Sequence, residues 1–306
     1  MSTIVSLDLD DLSCYYGIHG LGEAPEASQR LALEVWLPRF LDLFKQLEVR
    51  ATIFVIGRDL HRDLQAGGRG AAMLERALHE GHELANHSYA HAYDLHHWPA
   101  QDIAEDLRRC DLLLRQLGAR PRGFRAPGYT HSRELLLQVA ALGYKYDSSM
   151  LPSPAYYLAK RGVMALRRLR GRRSSSQRDG ARSFVGPTAV HYLPELGLWE
   201  LPISVSSGLR LPFTGTFLLG DRPPMMTRMA GEALRREAAA TRHLHLELHA
   251  IDLADADADG LEPELLAHQR ELNTPLINRL ERLAKLLEQR GGGVPIARAM
   301  GRQLAG

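Results

Sequence analysis

The chain has only two cysteines, Cys14 and Cys110, in 306 residues. That excludes a disulfide framework and any CxxC metal spacing. It also lacks an excess of charge of either sign: 38 Lys and Arg stand against 36 Asp and Glu, a formal net charge of +2. Composition as a whole therefore gives no reason to invoke nucleic acid. No apolar run approaches the length of a membrane span. Met1 to Asp10 lack the basic start and apolar core of a secretory signal, and a cytoplasmic protein with reduced thiols is expected. No internal repeat is evident.

What is present suits one large core. At 306 residues, 45% apolar and 24% charged, the chain has the size common among α/β barrels, and a single barrel domain over 1–306 is expected. Short runs rich in β-branched residues alternate with longer segments of helical period, the pattern of parallel strands joined by crossover helices. Strands are expected at 3–9, 51–56, 83–86, 123–126, 199–205 and 243–249. Helices are expected at 31–47, 71–80, 102–117, 132–142, 227–240 and 261–289.

The segment 158–182 breaks this rhythm, with Lys160, Arg161, Arg167, Arg168, Arg170, Arg172, Arg173, Arg178 and Arg182 against Asp179 alone. It reads as a basic insertion at about 155–185. The plainer expectation is a solvated excursion, since 172–180 is polar and turn-rich. The sharper one joins Tyr156, Tyr157, Leu158, Met164 and Leu166 to this charge in a surface for an anionic headgroup or phosphate-linked carrier, with peripheral membrane contact.

In the first strand, alternation sends Ser6, Asp8 and Asp10 to one face and Leu7 and Leu9 to the other. On a barrel strand the two carboxylates stand near the C-terminal end, where loops form active sites. Burying like charges together is costly unless a cation or a shared proton relieves them, so the pair argues for a metal or a tuned acid. The structural alternative is capping of the following turn.

His87 and His91 form an HxxxH pair, which lets two imidazoles meet one ion when the residues between make a helical turn. Alone this is weak, because 14 histidines in 306 positions give about 0.6 such pairs by chance. His245 and His249 share the spacing. In a strand, however, His245, Glu247 and His249 share one face while Leu244, Leu246 and Leu248 pack outward on helices, which suggests an acid or base. The run Asp255, Asp257, Asp259, Gly260 imitates a calcium loop, yet Leu266 stands where a bidentate Glu is needed, so a solvated loop is expected. His96 and His97 are given surface or packing roles. Arg125 is placed on the same rim as the carboxylates.

The segments SLDLDD at 6–11, ATIFVIG at 51–57, GHELANHSYAH at 81–91, RGFRAPGY at 122–129, GYKYDSS at 143–149, LWELPISV at 198–205 and HLHLELHAID at 243–252 together resemble the NodB-homology polysaccharide deacetylases, carbohydrate esterase family 4. Most of that family has an adjacent Asp-Asp followed by Gly, whereas here Leu12 follows Asp10 and Asp11. The spacing Asp8, Leu9, Asp10 is instead similar to a divergent branch with peptidoglycan-deacetylase-like and allantoinase-like or cyclic-imide-hydrolysing members. Strand parity agrees, since Asp8 and Asp10 share a face and Asp11 does not.

The resemblance implies a distorted (β/α) barrel of about seven parallel strands. It implies that Asp10, His87 and His91 hold one divalent metal ion, with zinc expected and cobalt, nickel, manganese or iron also compatible with N/O ligands. Asp8 is then the catalytic base and His249 the acid, with His245 as runner-up. Arg125, Pro127 and Tyr129 belong to the substrate side, Arg125 by orienting the base. The aspartate that tunes the family's acid histidine has no clear counterpart; Glu200 and Glu247 are candidates. The implied reaction removes an N-acetyl or other N-acyl group from an amino sugar in a glycan precursor, glycolipid or related metabolite. Two alternatives remain open: a ring-opening hydrolase of a cyclic imide or ureide, and a non-catalytic glycan- or lipid-binding barrel.

Overall fold

The computed structural model describes residues 2–169, 181–221 and 227–301. Eight strands form one sheet: β1 (Ser2–Asp8), β2 (Thr52–Val55), β3 (Glu83–Asn86), β4 (Gly123–Phe124), β5 (Tyr146–Asp147), β6 (His191–Leu193), β7 (Leu198–Glu200) and β8 (His243–His249). Their order is β6-β7-β5-β4-β3-β2-β1-β8. Every pairing is parallel except β6 with β7, so seven parallel strands carry one antiparallel edge. The sheet curls into a half-barrel, a distorted (β/α) barrel.

Chain parity decides what each face of the sheet does. On β1, Val5 and Leu7 point outward with Leu9 into a core built with Trp36, Phe40 and Phe44 of the following helical segment. Each such fully buried Leu or Phe stabilises the fold by about 1.5–3 kcal/mol. The inner face begins with an apolar floor, where Phe54, Ala85, Tyr146 and Leu201 pack against Ile296 and Met300, with Ile4 beside them. The polar groups of the inner face stand above it. β1 and β8 pair from Ser2 with His243 to Asp8 with His249, which sets the C-terminal ends of the two strands side by side.

Departures from the expected elements have local causes. The helix expected at 31–47 begins as a π-turn, Ala32–Trp36, and becomes α-helical over Leu37–Gln46. Pro38, which has no N–H to donate, sits where one register gives way to the other. The helix expected at 261–289 is three pieces, Pro263–Leu266, Arg270–Asn273 and Leu276–Arg290. Pro275 forces the second break, since the residue before a proline is driven from the helical region and Thr274 has ψ 125°.

The basic insertion is ordered at both described ends. A helix, Pro154–Leu169, opens it and a short helix, Ala181–Val185, closes it. Phe184 is fully buried, its ring stacked on Tyr157 at 5.0 Å. The expectation of a solvated excursion is therefore corrected at these ends, because aromatic side chains tie them to the body of the protein. Arg170, Arg172, Arg173 and Arg178 lie outside the described residues, as do the side chains of Arg167 and Arg168. Among the described residues no helix is long and apolar enough to cross a membrane.

Candidate active site

Asp8 ends β1, and Asp10 follows two residues on, facing the same way. Asp11 turns aside: its Oδ1 accepts the Ser13 backbone N–H at 2.8 Å, capping the helix Leu12–His19, and its Oδ2 meets Arg62 at 3.1 Å. Capping is thus the work of Asp11, and Asp8 and Asp10 are left for the inside.

His87 directly follows β3. Asn86 shapes the turn by accepting the Ser88 N–H at 2.8 Å, and Ser88 Oγ in turn accepts the His91 N–H at 2.8 Å. The Asp106 carboxylate holds the N–H groups of Tyr89 and Ala90 at 2.9 and 2.8 Å. Ser88 and His91 have φ of 65° and 50°. The two histidines therefore meet across a side-chain-braced loop and not across the helical turn expected from their spacing. A left-handed residue at each end folds the loop back on itself, leaving the rings 4.8 Å apart.

His87 Nδ1–H donates to the Arg125 carbonyl at 2.8 Å, which leaves Nε2 as a lone pair. His91 Nδ1 lies 3.4 Å from Cys14 Sγ, so its Nε2 also points inward. Both Nε2 atoms stand 3.4 Å from Asp10 Oδ1, and one ligand atom from each of the three residues lies within 4.8 Å of the others. Neither Asp10 Oδ1 nor His91 Nε2 has a hydrogen-bond partner. Burial alone would raise the Asp10 carboxyl; the two imidazoles facing it hold it well below the usual carboxylate range. Buried acceptors without donors are costly, and a divalent cation with N/O preference satisfies all three. The donor set fits a metal.

Beside this cluster, Asp8 Oδ1 accepts from Arg125 Nη1 at 2.6 Å, and Asp8 Oδ2 lies 3.7 Å from His87 Nε2. Arg125 is fully buried. It lies over the Phe54 ring at 4.2 Å, donates to Ser6 Oγ at 3.1 Å and to the Ser148 carbonyl and hydroxyl at 2.9 Å, and pairs with Glu247 at 3.3 Å. Its place is beside the carboxylates, as expected, but behind Asp8 and off the cavity wall, which corrects its expected place on the substrate side: Asp8 and Glu247 draw the guanidinium inward.

From β8, ligand atoms of Glu247 and His249 come within 4.8 Å of one on Asp8. Tyr129 reaches Glu247 at 3.1 Å and His249 Nε2 at 3.4 Å through its hydroxyl. Burial would lower His249, but Glu247, Asp10, Asp8 and Asp252 outweigh it and push the imidazole up to about 9. Burial, joined by Asp8, pushes Glu247 up to about 7. His245 is set deeper on the same face, between Ser6 Oγ at 3.0 Å and the Pro202 carbonyl at 3.2 Å, and burial with Arg125 pushes it down to about 3. It is a neutral packing histidine and not a second acid. Of the candidates for tuning His249, Glu247 faces it, while Glu200 is committed to the Met150 N–H at 3.0 Å.

These groups stand in a cavity of about 330 Å³ whose wall includes Asp8, Asp10, His87, Tyr129 and His249. Pro127 is buried in its turn and does not reach that wall. Gly128 beside it has φ 63°, and a Cβ there would come within 2.6 Å of Tyr93. That bend swings Tyr129 inward. Asp252, which accepts the His249 N–H at 2.8 Å, and Glu271 on the cavity wall escaped the sequence reading. Only the place of Asp252 three residues after His249 offered a signal. The calcium-like run is a turn with Asp257 and Gly260 exposed, as expected of a solvated loop; Asp259 alone is packed, taking a two-pronged bond from Arg39 at 2.6 and 2.7 Å and the Trp36 indole N–H at 2.8 Å.

Residues 28–146 match the family model for polysaccharide deacetylase, a stretch that holds His87, His91, Arg125 and Tyr129. The chain is 29% identical over 150 residues to a peptidoglycan deacetylase of Helicobacter pylori, covering 47% of this chain and 48% of that protein. It is 28% identical over 190 residues to a chitin deacetylase of Colletotrichum lindemuthianum, covering 61% of this chain and 75% of that one. The chain thus spans about half the length of the peptidoglycan deacetylase that it matches. Among solved structures, one named as a polysaccharide deacetylase from Pseudomonas aeruginosa aligns with TM-score 0.58 and 14% identity over 98% of this chain and 89% of that one. Another so named, from Mycobacterium smegmatis, aligns with TM-score 0.55 and 18% identity over 96% and 92%. These two share the fold.

Proposed function

We propose that the chain, whose residues 28–146 match the family model for polysaccharide deacetylase, is a metal-dependent amide hydrolase that removes an N-acetyl group from an amino sugar. The observation that carries this reading is the convergence of two clusters on one cavity, each contributing residues to its wall. Asp10, His87 and His91 supply inward-facing metal ligands, while Asp8, Glu247 and His249 supply a carboxylate and a raised imidazole. A binding module has no need of both.

Zinc suits two imidazoles and one carboxylate, and when bound the ion polarises the acyl carbonyl and the attacking water. Asp8 takes the proton from that water, held in aim by Arg125 at 2.6 Å. His249 gives its proton to the amide nitrogen as the C–N bond breaks, since an amine leaves poorly unless protonated. The products are the carboxylic acid and the free amine. Tyr129 stands beside His249 and Glu247 on the substrate side. N-acylated sugars and glycolipids are the proposed partners of the cavity.

The experiment is a screen of the zinc-loaded protein on N-acetylated sugars, scored for acetate and free amine. Release by the wild type, with turnover lost and zinc kept in Asp8→Asn, is the expected result. Hydrolysis of small cyclic imides alone would overturn the substrate class, and unchanged acetate release by Asp8→Asn would overturn the role of Asp8.

A further inference from the structure

The walls of the cavity come from far apart in the chain. The helix Pro154–Leu169, which opens the basic insertion, contributes Tyr156, Ala159, Lys160 and Met164. Tyr156 is locked in an aromatic cluster, 6.3 Å from Tyr129, 6.0 Å from Phe184 and 6.3 Å from Phe217 between ring centroids. Phe184 comes from the far end of the same insertion, so its two described ends meet in one aromatic cluster with Tyr129. Elsewhere on the wall His19 stacks on His268 at 4.8 Å, and Gln269 Nε2 lies 2.9 Å from His19 Nε2. Glu271 completes that wall, almost fully buried, with Oε1 unpartnered.

No residue lining the cavity is exposed; each is buried or half-buried. An internal unit of a polymer needs an open channel on both sides, since the chain must enter and leave. A site of about 330 Å³ lies at the small end of ligand pockets, which run roughly 300–1,000 Å³. Resting on the amide-hydrolase reading above, we infer that the helix Pro154–Leu169, braced by Phe184, acts as a fixed roof that restricts the site to one N-acylamino sugar unit, either free or at the end of a chain. Tyr156 is the specificity-determining residue of this roof. Its ring closes the direction in which further sugar units would extend, and offers an aromatic edge to the single unit admitted.

The test has a binding arm and a turnover arm. In the first, calorimetry with metal-free protein compares N-acetylglucosamine with its β-1,4-linked pentamer. A roofed site gives affinities within about threefold, since added units gain no contact; an open groove tightens by tenfold or more, as each further unit adds buried area. Pentamer binding ten times tighter, or binding of neither sugar, overturns the inference. In the second, mass spectrometry counts the acetyl groups lost from the pentamer by zinc-loaded protein. Loss of one terminal group is expected, and loss of internal groups at the rate of the monomer overturns the roof. Acetate from no sugar at all defeats the hydrolase reading instead, and the binding arm still judges the roof. Tyr156→Ala should raise the pentamer-to-monomer ratio of kcat/KM by about tenfold, whereas Tyr156→Phe should leave it unchanged.

Discussion

Arg125 and Asp8 form a buried ion pair of 2.6 Å in which both side chains are almost wholly removed from solvent. A buried pair of this kind is weak evidence for stability as such, because desolvation offsets most of the attraction. Its value here is in geometry. Asp8 Oδ1 is taken by the guanidinium, and Oδ2 is left on the side of His87.

Removing the cation strands the anion. Arg125→Met should lower stability by about 3–5 kcal/mol, the usual cost of an uncompensated buried charge. Arg125→Lys keeps charge but loses the fork that reaches Ser6 and Ser148 together. Denaturant melts of Arg125→Met, Asp8→Asn and the double variant form a cycle. A double variant less damaged than the sum of the singles is expected; strict additivity would show the two groups uncoupled.

Zinc should stabilise the protein through Asp10, His87 and His91. Two imidazole lone pairs and a carboxylate oxygen facing one another are relieved by a cation, and ligand at a hundredfold its Kd adds about 2.7 kcal/mol. Thermal melts should therefore rise with zinc and fall back with chelator. His91→Ala should abolish the rise while leaving the far-UV circular dichroism intact. Persistence of a one-to-one zinc content in that variant would remove His91 from the ligand set.

The pH dependence follows from His249. Its imidazole is held up to about 9 despite burial, with Glu247 the largest upward influence. A raised histidine keeps its proton below its pKa and loses it above, so the acid form persists through neutrality and activity falls on the alkaline side near pH 9. Glu247→Gln removes the main support, and the alkaline limb of kcat/KM should move to lower pH. The sign is fixed: a shift to higher pH would show that Glu247 does not act on His249.

The regular parts of the chain were the legible ones. β3 at 83–86 and β8 at 243–249 have the bounds that their patterns imply, and inward parity of Asp8 and Asp10 followed from the two-residue repeat alone. β5, with two residues, is too short to show any period. Capping of the turn after β1 was open to the sequence, but the helix that Asp11 caps, Leu12–His19, was not read from it. The burial of Arg125 was hidden for a different reason. A lone arginine is an exposed residue by default, and only the tertiary structure brings Asp8 and Glu247 from distant strands to draw it in.

Cys14 is the clearest contribution that sequence could not offer, since it lies 77 positions from the histidine it touches. Burial pushes its thiol well above the ordinary range, with Asp10 adding to the rise, which favours the neutral form. As a neutral sulfur 3.4 Å from His91 Nδ1, it accepts that N–H and keeps Nε2 turned toward Asp10. Loss of such an outer partner typically costs 10–100-fold in metal affinity. Cys14→Ala should therefore weaken zinc binding by about that factor, measured by competition with a chromophoric chelator. Cys14→Ser, which restores an acceptor of similar size, should recover most of it. Equal zinc affinity in wild type and Cys14→Ala would show that the His91 ring is oriented by packing against Tyr93, 5.2 Å away, and not by the sulfur.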